Sequence, residues 1–166
     1  MSQENVKLVR SIFVPWERGD FSAETEWADP EIEYAYADGP APAEWTGRDG
    51  MAKGFSEGFL SAWEDVRIGA DAYRELDAER VLVLIHRSGR GKASGLELAQ
   101  MRSEGALLFH IRDGKVRRIA VYWNRERAFT DLGLSEQDLT PTPEPAGYCA
   151  QCHPPRSRAG CIRLGR

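Results

Sequence analysis

Four runs of strand-forming residues after residue 65 limit what the chain can fold into. The runs cover residues 66–75, 80–88, 96–112 and 115–123, and they are rich in the β-branched and aromatic residues that strands prefer. Asp113-Gly114 between the last two runs is a strong hairpin signal. Because short connections join the runs, we expect an antiparallel meander, and its apolar face must be covered by other elements.

Two amphipathic helices are predicted ahead of these strands. Apolar residues at helical spacing predict the first helix over residues 3–18, with Pro15 loosening its last turn and Gly19 ending it. A second stripe at steps of four predicts a helix over residues 48–64. The two stripes are Val6, Val9, Ile12, Phe13 and Trp16, and then Met51, Phe55, Phe59 and Trp63.

Shorter elements fill the remaining positions. Ser22 as an N-cap predicts a short helix over residues 22–28, which Asp29-Pro30 would stop. Alternation of Ile32, Tyr34 and Tyr36 with smaller or charged residues predicts a strand with its tyrosines on one face. Residues 38–47 have the composition of a loop, and residues 126–132 that of a helix closed by Gly133.

Composition divides the chain into a domain and a tail. Periodicity stops near residue 138, where a Thr-Pro-Thr-Pro-Glu-Pro segment begins. We therefore expect one α+β domain over residues 1–138 and a Pro-rich, Cys- and Arg-containing tail over residues 139–166 that is disordered.

Charge and hydropathy exclude several classes of partner. Residues 1–140 carry 18 Lys or Arg against 25 Asp or Glu, so the predicted domain is acidic and unsuited to nucleic acid. No apolar run approaches the length that spans a bilayer, and residues 1–10 are polar where a secretory signal needs apolar residues. We expect a cytoplasmic protein with no membrane partner.

The three cysteines, Cys149, Cys152 and Cys161, all lie in the tail. Cys149 to His153 matches the C-x-x-C-H pattern of haem attachment, although the tail is too short to bury a haem. Zinc binding by the three cysteines with His153 is an alternative, and an unstructured tail is the interpretation we favour. We therefore predict no cofactor and no metal site in the domain.

Four segments together resemble the SnoaL-like proteins, relatives of ketosteroid isomerase within the nuclear transport factor 2-like superfamily. Their order and spacing carry the resemblance more than any one of them does. They are residues 6–21, ending Trp16-Glu17-Arg18-Gly19-Asp20-Phe21; Asp29-Pro30-Glu31-Ile32-Glu33-Tyr34; Arg112-Asp113-Gly114-Lys115-Val116; and residues 122–134 with Arg127-Ala128 and Leu132-Gly133-Leu134.

The resemblance implies a cone: a curved antiparallel sheet wrapped around N-terminal helices, enclosing a pocket, and usually paired as a homodimer. It also places the catalytic groups of ketosteroid isomerase on Ile12, on Tyr34 or Ala35, and on Leu107. None of these residues supplies the base or oxyanion hole of that enzyme. The carboxylates in the predicted strands are expected mostly to face solvent; they are Glu33, Glu75, Glu97 and Glu104.

Aromatic and apolar side chains are the candidate pocket residues. Aromatic walls with a few polar tips suit flat organic molecules, although a filled core would have the same composition. His86 at a strand end is either an acid or base at the cavity mouth or an ordinary hydrogen-bonded surface residue. The predicted pocket set is Tyr34, Trp45, Phe59, His86, Leu107, Phe109 and Trp123, with Tyr36 as a further candidate.

The leading hypothesis is a domain that binds a small, largely apolar organic molecule, with isomerase, cyclase, dehydratase or hydrolase chemistry on an unidentified substrate. The alternative is a non-catalytic module that binds a ligand or dimerises. Polar tips converging inside the cone would favour an enzyme, whereas a filled apolar interior would favour the non-catalytic module.

Overall fold

Six strands form one curved, open sheet, and two N-terminal helices lie against its inner face. The computed structural model describes residues 2–39, 42–92 and 103–135. The helices are α1 (Ser2–Glu17), α2 (Gly47–Phe55) and α3 (Arg125–Leu132); the strands are β1 (Ala28–Tyr36), β2 (Glu44–Thr46), β3 (Trp63–Glu75), β4 (Arg80–Gly91), β5 (Glu104–Arg112) and β6 (Lys115–Tyr122). The predicted α+β class is confirmed.

The strands lie in the order β2-β1-β6-β5-β4-β3. All neighbours are antiparallel except β1 and β6, which pair in parallel with Tyr34 opposite Ile119. An entirely antiparallel sheet was expected, and this one pairing differs. Because α2 and four strands separate β1 from β6 in the chain, no hairpin imposes an antiparallel direction on them.

The two faces of the sheet bury separate apolar clusters, as strand alternation requires. Along β4, Val81, Val83 and Ile85 face inward to α1 and α2. Leu82 and Leu84 face outward, where α3 packs over them and their neighbours on β5 and β6. The cone interior is therefore formed by one face of the sheet and two helices.

The helix predicted over residues 22–28 is wrong. The Asp20 carboxylate accepts hydrogen bonds from both the backbone N–H and the hydroxyl of Ser22, at 3.0 and 2.7 Å, so Ser22 does not cap a helix. Residues 21–27 are irregular, with a turn at Glu26 and Trp27, and β1 already begins at Ala28 and passes through Asp29-Pro30.

The helix predicted over residues 48–64 is too long. After α2 ends at Phe55, one π-helical turn covers Ser56–Leu60, and Trp63 starts β3 instead of continuing the stripe. The wider turn shifts the register by one residue and directs the buried Phe59 into the cone. The predicted loop over residues 38–47 also contains β2, whose Trp45 pairs with Tyr34.

Other predicted elements agree with the structure within a few residues. Helix α3 ends at Gly133, which is left-handed with φ +67°. Asp113 and Gly114 both have positive φ, at +52° and +72°, which the predicted tight hairpin between β5 and β6 requires. The fourth predicted run is β6, whereas residues 96–102 of the third and the whole tail lie outside the described residues.

Candidate functional site

A cavity of about 90 Å³ lies between the inner sheet face and the helices α1 and α2. Most of its wall is aromatic or aliphatic, which suits an organic molecule more than an ion alone. Its lining residues are Pro15, Trp16, Phe21, Ala23, Thr25, Trp27, Tyr34, Tyr36, Met51, Ala52, Phe55, Phe59, Ile68, Ile85, Arg87, Leu107, Ile119, Val121 and Trp123.

The burial of these residues gives the cavity a mouth and a floor. Ala23, in the turn segment after α1, and Ala52 on α2 are exposed and mark the mouth. Ile85, Leu107 and Ile119 are almost completely buried and belong to the floor. A ligand would therefore enter between the turn segment and α2 and reach the central strands of the sheet.

Arg87 is the charged residue in this wall. It follows Ile85 by two positions on β4 and therefore shares its inward face, with only 4% of its surface exposed. Its guanidinium carbon lies 4.8 Å from the centre of the Trp123 ring and 5.7 Å from that of Phe59. Nη2 donates a long hydrogen bond of 3.4 Å to the Tyr122 carbonyl, and Nη1 has no hydrogen-bond partner.

Two tyrosines place their hydroxyl groups in the same part of the cavity. Tyr34 and Tyr36 lie on the inward face of β1 with ring centres 5.6 Å apart, their hydroxyls interact with each other, and the Tyr36 hydroxyl donates a long hydrogen bond of 3.4 Å to the Gly54 carbonyl. Burial raises the pKa of Tyr34 well above its usual value. Burial also raises the pKa of Tyr36, opposed by the Tyr34 hydrogen bond and by the charge of Arg87. Both therefore stay protonated at neutral pH and can donate hydrogen bonds.

Trp123 is held in the wall by its backbone. The Asp38 carboxylate accepts hydrogen bonds from the Trp123 N–H at 2.5 Å and from the Asn124 N–H at 3.1 Å. The Trp123 ring then packs against Tyr36 and Phe59, with ring centres 6.1 and 5.7 Å away. This arrangement fixes the aromatic surface on which the Arg87 guanidinium lies.

No carboxylate among the described residues forms an ion pair with the Arg87 guanidinium. Burial lowers the pKa of Arg87, opposed by Tyr34, Tyr36 and Asp38, but an arginine stays charged at neutral pH. Asp38 already accepts two backbone hydrogen bonds, and the cavity lining contains no Asp, Glu or His. The site can thus donate hydrogen bonds to an oxygen atom, but it supplies no ordinary general base.

Four residues of the predicted pocket set line the cavity: Tyr34, Phe59, Leu107 and Trp123. Trp45 lies one layer behind, with its ring centre 6.1 Å from that of Tyr34. Phe109 faces inward but packs against Phe13 of α1, at 6.1 Å, beyond the cavity.

His86 lies on the outer face of β4, away from the cavity. Its Nδ1 is 2.6 Å from the Asp71 carboxylate, and 54% of its side chain is exposed. Arg125 contacts the other oxygen of Asp71 and donates to the Ile85 carbonyl at 2.9 Å, so this ionic group joins β3, β4 and α3. The geometry corresponds to the surface interpretation of His86.

Sequence analysis did not single out Arg87, although a signal was present. The alternation Val81, Val83, Ile85 continues to Arg87, which predicts an arginine on the face that carries the apolar strand residues. An arginine on a buried face is unusual and marks a candidate binding residue.

Membrane-spanning helices and metal-binding clusters can be assessed for the described residues only. Among the described residues, no helix combines the length and hydropathy needed to cross a membrane. In the same residues, no group of three or more His, Cys, Asp or Glu is placed to hold a metal ion. The candidate zinc or haem residues Cys149, Cys152, His153 and Cys161 lie outside them.

A family model described as the SnoaL-like domain matches residues 9–119. This match covers α1 through most of β6 and thus nearly all of the cavity wall. No curated protein matches the sequence.

Solved structures with the same fold have low sequence identity to the chain. TerC co-crystallised with polyporic acid is 18% identical with TM-score 0.60, covering 78% of this chain and 97% of TerC. A SnoaL-like polyketide cyclase homologue from Jannaschia is 14% identical with TM-score 0.59, and the match covers 73% of this chain and 85% of the homologue. A protein of ketosteroid isomerase-like fold from Catenulispora acidiphila, in complex with trimethylamine, is 17% identical with TM-score 0.58. The match covers 81% of this chain and 98% of that protein. These likenesses show the fold.

Proposed function

Because the chain belongs to the SnoaL-like domain family, which includes polyketide cyclases and isomerases, we propose that its cavity binds a small, largely apolar organic molecule. The observation that carries this proposal is the cavity itself: an aromatic and aliphatic wall interrupted by Arg87, Tyr34 and Tyr36. Ligand sites in proteins typically combine such walls with a few convergent polar groups. TerC with polyporic acid and the Catenulispora protein with trimethylamine support the proposal, since both hold small organic molecules on this fold.

The lining chemistry favours binding over catalysis. Isomerase, cyclase and dehydratase reactions that begin with proton abstraction need a base, and the described residues of the lining include no Asp, Glu or His. The raised pKa values of Tyr34 and Tyr36 make these side chains donors at neutral pH. A non-catalytic binding module is therefore the form of the function that the geometry supports best.

A catalytic role would rest on the donors alone. Arg87, Tyr34 and Tyr36 could polarise a carbonyl oxygen as an oxyanion hole does, but another group would have to move the proton. We expect no turnover of an unsaturated ketosteroid, because Ile12 and Leu107 occupy two of the positions that the resemblance matches to catalytic groups. Isomerisation of that substrate by the purified protein would contradict this expectation.

Binding can be tested with a small neutral probe such as crotonamide, by saturation-transfer NMR and calorimetry. The test variant is Ala52→Trp, which places a large ring at the mouth without altering the floor. Lys53→Trp is the matched control, because Lys53 is the next exposed residue of α2 and does not line the cavity. We expect the parent and Lys53→Trp to bind alike and Ala52→Trp to bind at least about tenfold more weakly, a difference of about 1.4 kcal/mol. Absence of binding by the parent, or equal effects of the two tryptophans, would refute the proposed site.

We also propose the homodimer that the family resemblance implies. Sedimentation equilibrium of the full chain measures its mass directly. A monomer at all concentrations up to about 100 µM, where micromolar dimers are populated, would contradict this assembly.

A further inference from the structure

Arg87 places a positive charge in the cavity wall without a carboxylate paired to it among the described residues. The side chain is almost fully buried, and its Nη1 has no hydrogen-bond partner. Nη2 has only the 3.4 Å contact with the Tyr122 carbonyl, which is long for a hydrogen bond. Two donor groups of a guanidinium in the cavity wall are therefore poorly satisfied.

Such an arrangement is unfavourable unless something else pairs with the charge. Buried charges in proteins are normally paired and hydrogen-bonded, because transfer from water costs several kcal/mol. The rings of Trp123 and Phe59 at 4.8 and 5.7 Å stabilise the cation only in part. The carboxylate of Asp38 is occupied by the N–H groups of Trp123 and Asn124.

Two tyrosine hydroxyls in the same cavity add polar groups that a bound oxygen atom can engage. Tyr34 and Tyr36 bring protonated hydroxyls into the same cavity as Arg87, and the hydrogen bond of 3.4 Å that Tyr36 donates to the Gly54 carbonyl is long enough for a closer acceptor to replace it. Oxygen atoms of a carboxylate can accept from both a guanidinium and a phenol, and arginine favours planar oxyanions. The surrounding wall is apolar, so the rest of the ligand must be apolar as well.

We propose that the ligand is a small organic carboxylate, whose oxygens accept hydrogen bonds from the guanidinium of Arg87 and from the tyrosine pair while its apolar body lies against the aromatic wall. This inference rests on the proposed function and names the ligand class of that same site. It is independent of whether the protein is catalytic.

The cavity also limits the size of the ligand. Its volume of about 90 Å³ is below the roughly 150 Å³ of an apolar cavity that holds benzene. A short branched or unsaturated carboxylate such as crotonate fits this space best. A monocyclic acid such as benzoate would extend its ring toward the mouth formed by Ala23 and Ala52.

The test compares acids with neutral molecules of the same shape, using the full chain. Crotonate is paired with crotonamide and benzoate with benzamide, and each is titrated by calorimetry or ligand-observed NMR. We expect each acid to bind at least about tenfold more tightly than its amide, as loss of a charged hydrogen bond predicts. In Arg87→Met this preference should disappear, and Arg90→Met is the control on the exposed part of the same strand.

The outcomes separate this inference from the proposed function. Amides that bind as well as acids would overturn the carboxylate assignment and leave the apolar cavity site intact. Failure of all four probes to bind would overturn both. Displacement of crotonate by equimolar chloride would also overturn the inference, because the site would then select an inorganic anion.

A second measurement serves if Arg87→Met does not fold. The side-chain NMR signals of the arginines in the parent can be followed during the crotonate titration, with Arg87→Lys identifying the Arg87 signal. A saturating shift of that signal with crotonate and not with crotonamide is expected. No shift at saturation would show that the acid does not contact Arg87.

Discussion

Replacement of Arg87 by methionine should stabilise the ligand-free protein, the reverse of what deletion of a structural arginine does. Methionine has a similar length and fills the space between Trp123 and Phe59 without a charge. Hydrophobic replacement of a buried ionic group is often neutral or stabilising by about 1 to 4 kcal/mol. The expectation follows from the unpaired Nη1 of a side chain that is 4% exposed.

Two losses of favourable contacts oppose this gain in the free energy of unfolding. Removal of the two ring contacts costs about 0.5 to 2 kcal/mol, and loss of the 3.4 Å contact with the Tyr122 carbonyl costs at most about 1 kcal/mol. We therefore expect a net gain of about 1 kcal/mol in the free energy of unfolding. A domain of this size would melt about 2 to 4 °C higher for that gain.

The assay is urea denaturation at neutral pH in a buffer without carboxylates, because an anion bound only to the parent would stabilise it and hide the effect. The slope of the unfolding free energy against urea concentration should be the same in the variant and the parent. Arg90→Met, at an exposed position of β4, should stay within about 0.5 kcal/mol of the parent. A loss of more than about 2 kcal/mol in Arg87→Met alone would refute the reasoning, since it would show that Arg87 anchors the sheet.

Three further predictions concern the cavity wall and its supports. Trp123→Ala should weaken ligand binding by about 1 to 3 kcal/mol. Because the ring borders a cavity, the loss in unfolding free energy should be smaller than the roughly 3 to 5 kcal/mol that the same change costs in a solid core. Titration with ligand measures the first effect and denaturation of the same variant measures the second. Gly105→Ala places a Cβ 2.5 Å from the Tyr122 carbonyl oxygen and should lower the unfolding free energy by about 1 to 3 kcal/mol, so unchanged stability would show that β5 and β6 separate easily. The pKa of Tyr34 is raised by burial, so its contribution to stability is complete below the unfolded value near pH 10 and is lost as pH rises toward the folded value. Tyr34→Phe should therefore flatten the decline of unfolding free energy between about pH 9 and 11, and an unchanged decline would contradict the burial of that hydroxyl.

Local patterns in the sequence were enough to predict the elements that bury a regular apolar stripe. Helix α1 and strand β6 follow directly from their spacing, and Asp113-Gly114 adopts the left-handed turn that the dipeptide favours. In β6, the cost of burying Arg118 correctly indicated that Trp123 faces inward, since Arg118 pairs with Glu33 outside the cone.

Elements whose local signals competed with tertiary contacts were mispredicted. Ser22 has the composition of an N-cap, yet its donors go to Asp20, and the following segment leads directly into β1. The apolar stripe that ends at Trp63 predicts one helix, but Trp63 is the first residue of β3. A π-helical turn over Ser56–Leu60 separates α2 from this strand.

The sequence by itself therefore determined the α+β class, the order of the helices and strands apart from residues 22–28 and β2, and the inward aromatic face, because each of these follows from the period of apolar residues along the chain. Only the tertiary structure decided which of those aromatics surround a cavity and which, like Phe109 against Phe13, fill the core. It also decided that Arg87 lies inside without a paired carboxylate and that His86 lies outside on Asp71. Those facts depend on distances between residues far apart in the chain, which no local period encodes.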